Sequence, residues 1–178
     1  MRSLTSFMLL FPYALVVLTI VPPLISCDLI SETCDQTPND RLCVKILRKD
    51  NRSLDADVAG LALVAVEAVR DKANSTLQSI KELKRSNLTL ANALMECQEN
   101  YYVILRIDVP KAVGSMRENP RLAEHGMADA VIEAQGCEAS LNKLEQSPLA
   151  DVNAAVYDLS VVALSIIRIL LHRIYTVN

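Results

Sequence analysis

Leu90-Ala91-Asn92-Ala93-Leu94-Met95-Glu96-Cys97-Gln98-Glu99-Asn100-Tyr101-Tyr102-Val103-Ile104 is the stretch whose reading decides the fold. Leu90, Leu94, Cys97, Tyr101 and Ile104 recur at steps of four, three, four and three. That rhythm marks one face of an α-helix packed lengthwise against its neighbours, whereas a half-buried strand would alternate every second residue.

The same rhythm runs through most of the chain on both sides. Upstream, Asp55 or Asp57 opens a helix in which Val58, Leu61, Ala65, Ala68 or Val69, Ala73, Leu77 and Ile80 form a stripe to about Lys84. Downstream, Pro110 predicts a kink or a restart, with Val113 and Met116 carrying a short continuation. Residues 117–125 are the least periodic. Met127, Ala130 or Val131, Ala134, Cys137, Leu141 and Leu144 then make a third stripe. After Ser147-Pro148, a cap followed by proline, Val152, Val156, Leu159, Ala163, Ile166 and Leu170 make the fourth. Thr37-Pro38-Asn39-Asp40 repeats the cap-and-proline start for a short N-terminal helix carrying Leu42, Cys43, Ile46 and Leu47 and ending near Lys49. No hairpin signal and no βαβ pattern appears. The fold class is all-α: an antiparallel four-helix bundle joined by short connections. The apolar segment Leu159–Leu171 reads as a buried core helix, too short to span a bilayer and interrupted by Arg168.

Composition agrees. Of 178 residues, 51% are apolar, only four are Gly and none is Trp, which favours helix. Residues 1–27 begin with Arg2, continue through a long apolar run and end in Pro22-Pro23 and Ile25-Ser26-Cys27, the order of a secretory signal. Pro12, Pro22 and Pro23 argue against a membrane-spanning helix there, and cleavage after Ser26 and after Cys27 fit equally well. Residues 28–178 are then one domain of roughly 150 residues, with no membrane segment once the signal is gone. Arg2 is the only charge in the signal, so the net charge moves from −3 to −4 on its removal. An acidic domain without a Lys/Arg block has no electrostatic footprint for nucleic acid.

Secretion gives meaning to the cysteines. Five are present, Cys27, Cys34, Cys43, Cys97 and Cys137, and loss of Cys27 leaves four in an oxidising compartment, with three pairings open to sequence alone. Three glycosylation sequons suit the same route, at Asn51, Asn74 and Asn87.

Catalytic parts are scarce. The two histidines, His125 and His172, have no metal-ligand spacing, and no nucleophile elbow, phosphate-cradling loop or dinucleotide fingerprint is present. The cysteine spacings match no zinc or redox pattern. The reading is a binding protein, not an enzyme, with no metal and no cofactor.

The cysteine context is more specific. Cys34-Asp35-Gln36-Thr37-Pro38-Asn39-Asp40-Arg41-Leu42-Cys43, the later Ala93-Leu94-Met95-Glu96-Cys97-Gln98-Glu99-Asn100-Tyr101, and the position of Cys137 together resemble the plant invertase and pectin methylesterase inhibitor family. The resemblance spans residues 28–172. It implies a four-helix bundle preceded by an N-terminal helical hairpin, with two disulfides, Cys34–Cys43 and Cys97–Cys137. In the chain-entropy picture such bridges stabilise by about 3 and about 4 kcal/mol.

The family divides by target, and Asn119-Pro120-Arg121-Leu122-Ala123-Glu124-His125-Gly126-Met127 bears on the choice. It is similar to the Pro-Lys-Phe-Ala-Glu-Asp-Gly pattern of the cell-wall and vacuolar invertase (fructosidase) inhibitors, whose Pro-Lys-Phe loop enters the active-site cleft of acid invertase. By that resemblance Pro120, Arg121, Leu122 and Glu124 bind the target, within a loop at 119–125. Arg121 stands where the family has Lys, and pairs well with carboxylates. Leu122 replaces an aromatic, which removes stacking in the sugar subsite. His125 replaces an acid. The implied partner is a plant acid invertase. The alternative is inhibition of pectin methylesterase through a helix face of the bundle. The implied location is the apoplast or cell wall, with the vacuole open as a second destination.

Overall fold

Each apolar stripe becomes a helix with its stripe turned inward. The computed structural model describes residues 28–141 and 147–176; the expected signal segment 1–27 and Leu144 lie outside these. Two short helices, α1 (Leu29–Cys34) and α2 (Asp40–Lys49), form an N-terminal hairpin. Then come α3 (Val58–Ser86), α4 (Ala91–Val103), α5 (Val109–Ser115), α6 (Pro120–Leu141) and α7 (Ala150–Thr176). Helices α4 and α5 are one rod, joined by a π-helical turn at Ile104–Asp108. Around the bundle α3 packs on α4 and α7, and α6 packs on α4, α5 and α7, so the four long rods close a square. Successive rods run antiparallel: Lys84 meets Gln98, Asn100 meets the Glu133 carbonyl, and Arg168 meets Glu124.

Local chemistry sets the helix boundaries. Asp57 caps α3 through the Gly60 amide at 2.8 Å. For α2 the cap is Asn39, which accepts from the Leu42 amide at 3.1 Å, and not Thr37. Thr37 instead donates its hydroxyl to the Cys34 carbonyl at 2.8 Å and is buried in the hairpin turn. The hydroxyl was spent closing the turn, so the next side-chain oxygen took the cap.

Pro110 neither breaks nor restarts the chain. The Val109 amide bonds the Ile104 carbonyl, one residue further back than in an α-helix. A proline ring collides with the carbonyl four residues earlier, and the wider π turn makes room for it, so the rod stays helical through Pro110.

Leu94, Cys97, Tyr101 and Ile104 are fully buried, as are Met127, Ala130, Ala134, Cys137 and Leu141. On α3, Val58, Leu61, Ala65, Val69, Ala73, Leu77 and Ile80 all lie inside. Helix α7 starts close to where Ser147-Pro148 announced it and runs 27 residues. The apolar segment Leu159–Leu171, read as too short to span a bilayer, thus belongs to a helix that by length and composition is apolar enough to cross a membrane. Its apolar face (Val156, Leu159, Val162, Ala163, Ile166 and Ile167) is covered by α3 and α6.

Both bridges are formed as the family resemblance implied. Cys34–Cys43 closes the hairpin with Cα atoms 5.5 Å apart, and Cys97–Cys137 ties α4 to α6 with Cα atoms 4.3 Å apart. Beside the second bridge lies a buried polar node. The Tyr101 hydroxyl donates to Asn153 Oδ1 at 2.8 Å, and Asn153 Nδ2 reaches the Ala134 carbonyl at 3.0 Å and Glu138 at 3.2 Å. Burial raises the Tyr101 phenol above its ordinary range, so it stays a neutral donor. The Tyr101 position of the Cys97-to-Tyr101 step thus joins α4, α6 and α7 at one point.

Candidate functional site

Residues 120–125, expected in a loop, are the first turn and a half of α6. The physical reason is present in the sequence. Asn119 accepts from the Leu122 amide at 3.3 Å as a cap, and Pro120 takes the first helical position, where a missing N–H is harmless. The connection is therefore only residues 116–119. Arg117 pins it by a two-armed pair to Asp57, at 2.9 and 3.1 Å, and that pair holds the Asp57 carboxyl below its usual range.

A helical turn divides the motif by face. Arg121, Leu122 and His125 are exposed, Pro120 is half-buried, and Ala123, Gly126 and Met127 are buried. A Cβ built on Gly126 would stand 2.7 Å from the Asp108 carbonyl oxygen and 3.2 Å from the Ala112 nitrogen, so this position is glycine because two backbones meet there. The motif therefore seats α6 on the α4–α5 rod with one face and offers a proline-flanked cation with the other.

Glu124 sits between these faces with its side chain 15% exposed. Arg121 Nη1 lies 3.3 Å from Oε2, and Arg168 Nε, from α7, lies 2.9 Å from Oε1. The Tyr175 ring flanks the Arg121 guanidinium at 5.6 Å. Of the four expected contact residues, Pro120, Arg121 and Leu122 share one surface, whereas Glu124 lies largely beneath the guanidiniums. Arg168 and Tyr175 were not singled out from sequence for this surface. They lie about 50 positions away, and only the antiparallel α6–α7 pairing brings them near.

Of the three sequons, Asn87 lies at the opposite end of the bundle and Asn74 partway along α3, whereas Asn51 precedes α3 at the end where Arg117 pairs with Asp57. Asn51 starts an exposed 3-10 turn, with Ser53 buried. Asn74 is on the exposed face of α3. Asn87 caps the α3–α4 connection by accepting from Thr89, which leaves its Nδ2 free of that cap.

Asp108, in the π turn, is buried at 1% exposure, and its Oδ2 has no hydrogen-bond partner among the described residues. Burial and the neighbouring Asp129 push its carboxyl up to about 7, against the pull of Lys111. Lys111 itself pairs with Asp129 at 2.8 Å. No group of three or more His, Cys, Asp or Glu side chains that could hold a metal ion occurs among the described residues.

Residues 28–166 match the family model described as plant invertase/pectin methylesterase inhibitor. A cell wall/vacuolar inhibitor of fructosidase 1 from Arabidopsis thaliana is 35% identical over 134 residues, 75% of this chain and 64% of that protein. A pectinesterase inhibitor from Actinidia deliciosa is 33% identical over 75 residues, 41% of this chain and 40% of that protein. The chain thus spans less than two thirds of the length of either relative. Among solved structures, a mutant form of a pectin methylesterase inhibitor from Arabidopsis superposes with TM-score 0.67 at 19% identity, covering 78% of this chain and 95% of that one. A second pectin methylesterase inhibitor structure, from Arabidopsis thaliana, gives 0.59 at 18% identity over 80% and 96%. At such identities these likenesses bear on the fold alone.

Proposed function

This chain belongs to the plant invertase/pectin methylesterase inhibitor family, and we propose that it is a non-catalytic inhibitor of acid invertase that occupies the substrate cleft with Pro120, Arg121 and Leu122. The observation that carries the reading is the exposed Arg121 guanidinium, presented next to a proline on a capped helical turn whose opposite face is locked into the bundle. A cleft that hydrolyses sucrose with paired carboxylates offers this cation a complementary charge. Because the turn is already folded, little ordering entropy opposes binding. The fructosidase inhibitor that resembles this chain over 75% of its length supports the same target. Leu122, 42% exposed, supplies apolar contact without the stacking an aromatic would give. Glu124 holds Arg121 in place and makes little direct contact.

Secretion through a signal at residues 1–27, to the cell wall or vacuole, belongs to this reading, as do glycans at Asn51, Asn74 and Asn87. A second reading, inhibition of pectin methylesterase by a helix face, draws on the α3–α4 surface. There Lys81 and Arg106 lie over the Tyr102 ring, at 5.6 and 4.9 Å, and Lys84 donates to the Gln98 carboxamide oxygen at 3.2 Å.

The test is a titration of the oxidised mature protein into an acid invertase and into a pectin methylesterase at acidic pH. Loss of invertase activity alone is expected. Loss of esterase activity alone would replace this reading with the α3–α4 one.

A further inference from the structure

Charge pairing on this surface is uneven at one place. Among the described residues, Arg48–Asp28, Arg52–Asp50, Arg70–Glu67, Lys111–Asp129, Arg117–Asp57 and Arg173–Glu32 are pairs of one cation with one carboxylate. Glu124 alone holds two, Arg121 on one oxygen and Arg168 on the other. One negative charge faces two positive ones, and a full positive charge is left over.

The exposures show where that excess points. The Glu124 side chain is 15% exposed, while those of Arg121 and Arg168 are 55% and 59% exposed. The carboxylate therefore lies at the base and the two guanidiniums stand above it towards solvent. Each guanidinium uses a single nitrogen on Glu124, Nη1 of Arg121 and Nε of Arg168. A guanidinium carries five N–H donors in a rigid fork. Both therefore keep donors not spent on Glu124, and because each meets a different oxygen of the one carboxylate beneath them, the two guanidiniums flank a position above it that a second carboxylate can occupy. The completed arrangement alternates in sign, cation, anion, cation, anion.

We propose that Arg121 and Arg168 together form a clamp for one side-chain carboxylate of the partner protein, with Glu124 as the residue that positions both. The inference rests on the reading that the Arg121 surface enters a carboxylate-bearing cleft, and adds to it a binding residue from a different helix. It also gives α7 a part in recognition. Arg168 is set by the packing of α6 on α7, so the clamp has its geometry before the partner arrives. The Tyr175 ring lies beside Arg121, its centroid 5.6 Å from the guanidinium carbon. Exposed pairs of this kind add little to folding, so a helix staple is a weak reason for two arginines on one carboxylate.

The experiment titrates acid invertase with the wild-type protein, Arg121→Ala, Arg168→Ala, the double variant, Arg168→Lys and Glu124→Gln, with Arg70→Ala as an ion-pair control and thermal melting of each. The expected result is that Arg168→Ala weakens inhibition about tenfold or more at an unchanged melting temperature. The double variant loses less than the product of the two single losses, because both arginines serve one carboxylate. Arg168→Lys recovers only part, since an ammonium lacks the fork. Full inhibition by Arg168→Ala alongside loss in Arg121→Ala overturns the clamp and leaves the invertase reading standing. Full inhibition by both single variants overturns the two together. A lower melting temperature in Arg168→Ala that accounts for its weaker inhibition would reduce Arg168 to a staple and overturn the clamp as well.

Discussion

Two polar networks join α6 to α7, one buried and one exposed. In the buried node Tyr101, Asn153, the Ala134 carbonyl and Glu138 satisfy one another inside the bundle. In the exposed node Arg121 and Arg168 share Glu124 at the surface, with charge to spare. The same pair of helices carries both, yet they do opposite work. The inner node is closed, and removing a member strands a desolvated polar atom. The outer node is open, and its members have unused donors facing water. The closed network holds the fold and the open one is available to a partner.

The sharpest way to break that comparison is to empty the inner node. Tyr101→Ala removes a fully buried ring and orphans Asn153 Oδ1, and a loss of about 3–5 kcal/mol is expected in denaturant titrations. A loss below about 1 kcal/mol would mean that the node is not closed in the sense argued here.

The next effect is on pH dependence. Asp108 in the folded chain titrates at about 7, raised from 3.8 by burial first and then by Asp129, with Glu133 also raising it and Lys111 opposing. A carboxyl whose folded value is raised binds its proton more tightly in the native state, so its favourable protonated form is fully present at low pH. Stability is lost as pH rises from about 4 to about 7, with a ceiling of roughly 4 kcal/mol. Melting temperatures should therefore be higher at pH 5 than at pH 7.5, and Asp108→Asn should flatten the difference. A domain working in an acidic wall or vacuole would keep this carboxyl neutral.

A smaller effect tests the α6 seam between the two networks. Gly126→Ala drives a methyl against the Asp108 carbonyl and the Ala112 nitrogen, both backbone atoms that cannot swing away. A loss of about 1–3 kcal/mol is expected in thermal melts. Gly114→Ala, with nothing within 4 Å of the added carbon, is the control and should be neutral or mildly stabilising.

How well each region could be read from sequence follows the same division. The buried side was legible because burial imposes a period: the stripe through Leu94, Cys97, Tyr101 and Ile104 named the residues that lie inside. The two disulfides came through family resemblance, since four cysteines leave the pairing open. The exposed side has no period to read. Asn119-Pro120 carries the same cap-and-proline signal read at Ser147-Pro148, and yet the resemblance to a family loop obscured it. Arg168 was visible only as an interruption in an apolar segment, because its partner lies 44 residues away and nothing local links them. The π turn was equally hidden: Pro110 announced a disturbance, but no residue pattern in 104–108 says that it takes the form of a π turn. Asn39 displaced Thr37 as a cap because the hydroxyl found a nearer carbonyl in the turn.

The smallest expected effect on folding carries the largest expected effect on function. Arg121→Ala should shift stability by less than about 1 kcal/mol, since exposed ion pairs contribute little. The measurement that tests the account most directly is therefore the melting temperature of Arg121→Ala taken together with its titration against acid invertase. An unchanged melting temperature with inhibition lost is the predicted result. Intact inhibition of invertase by the folded variant would contradict it.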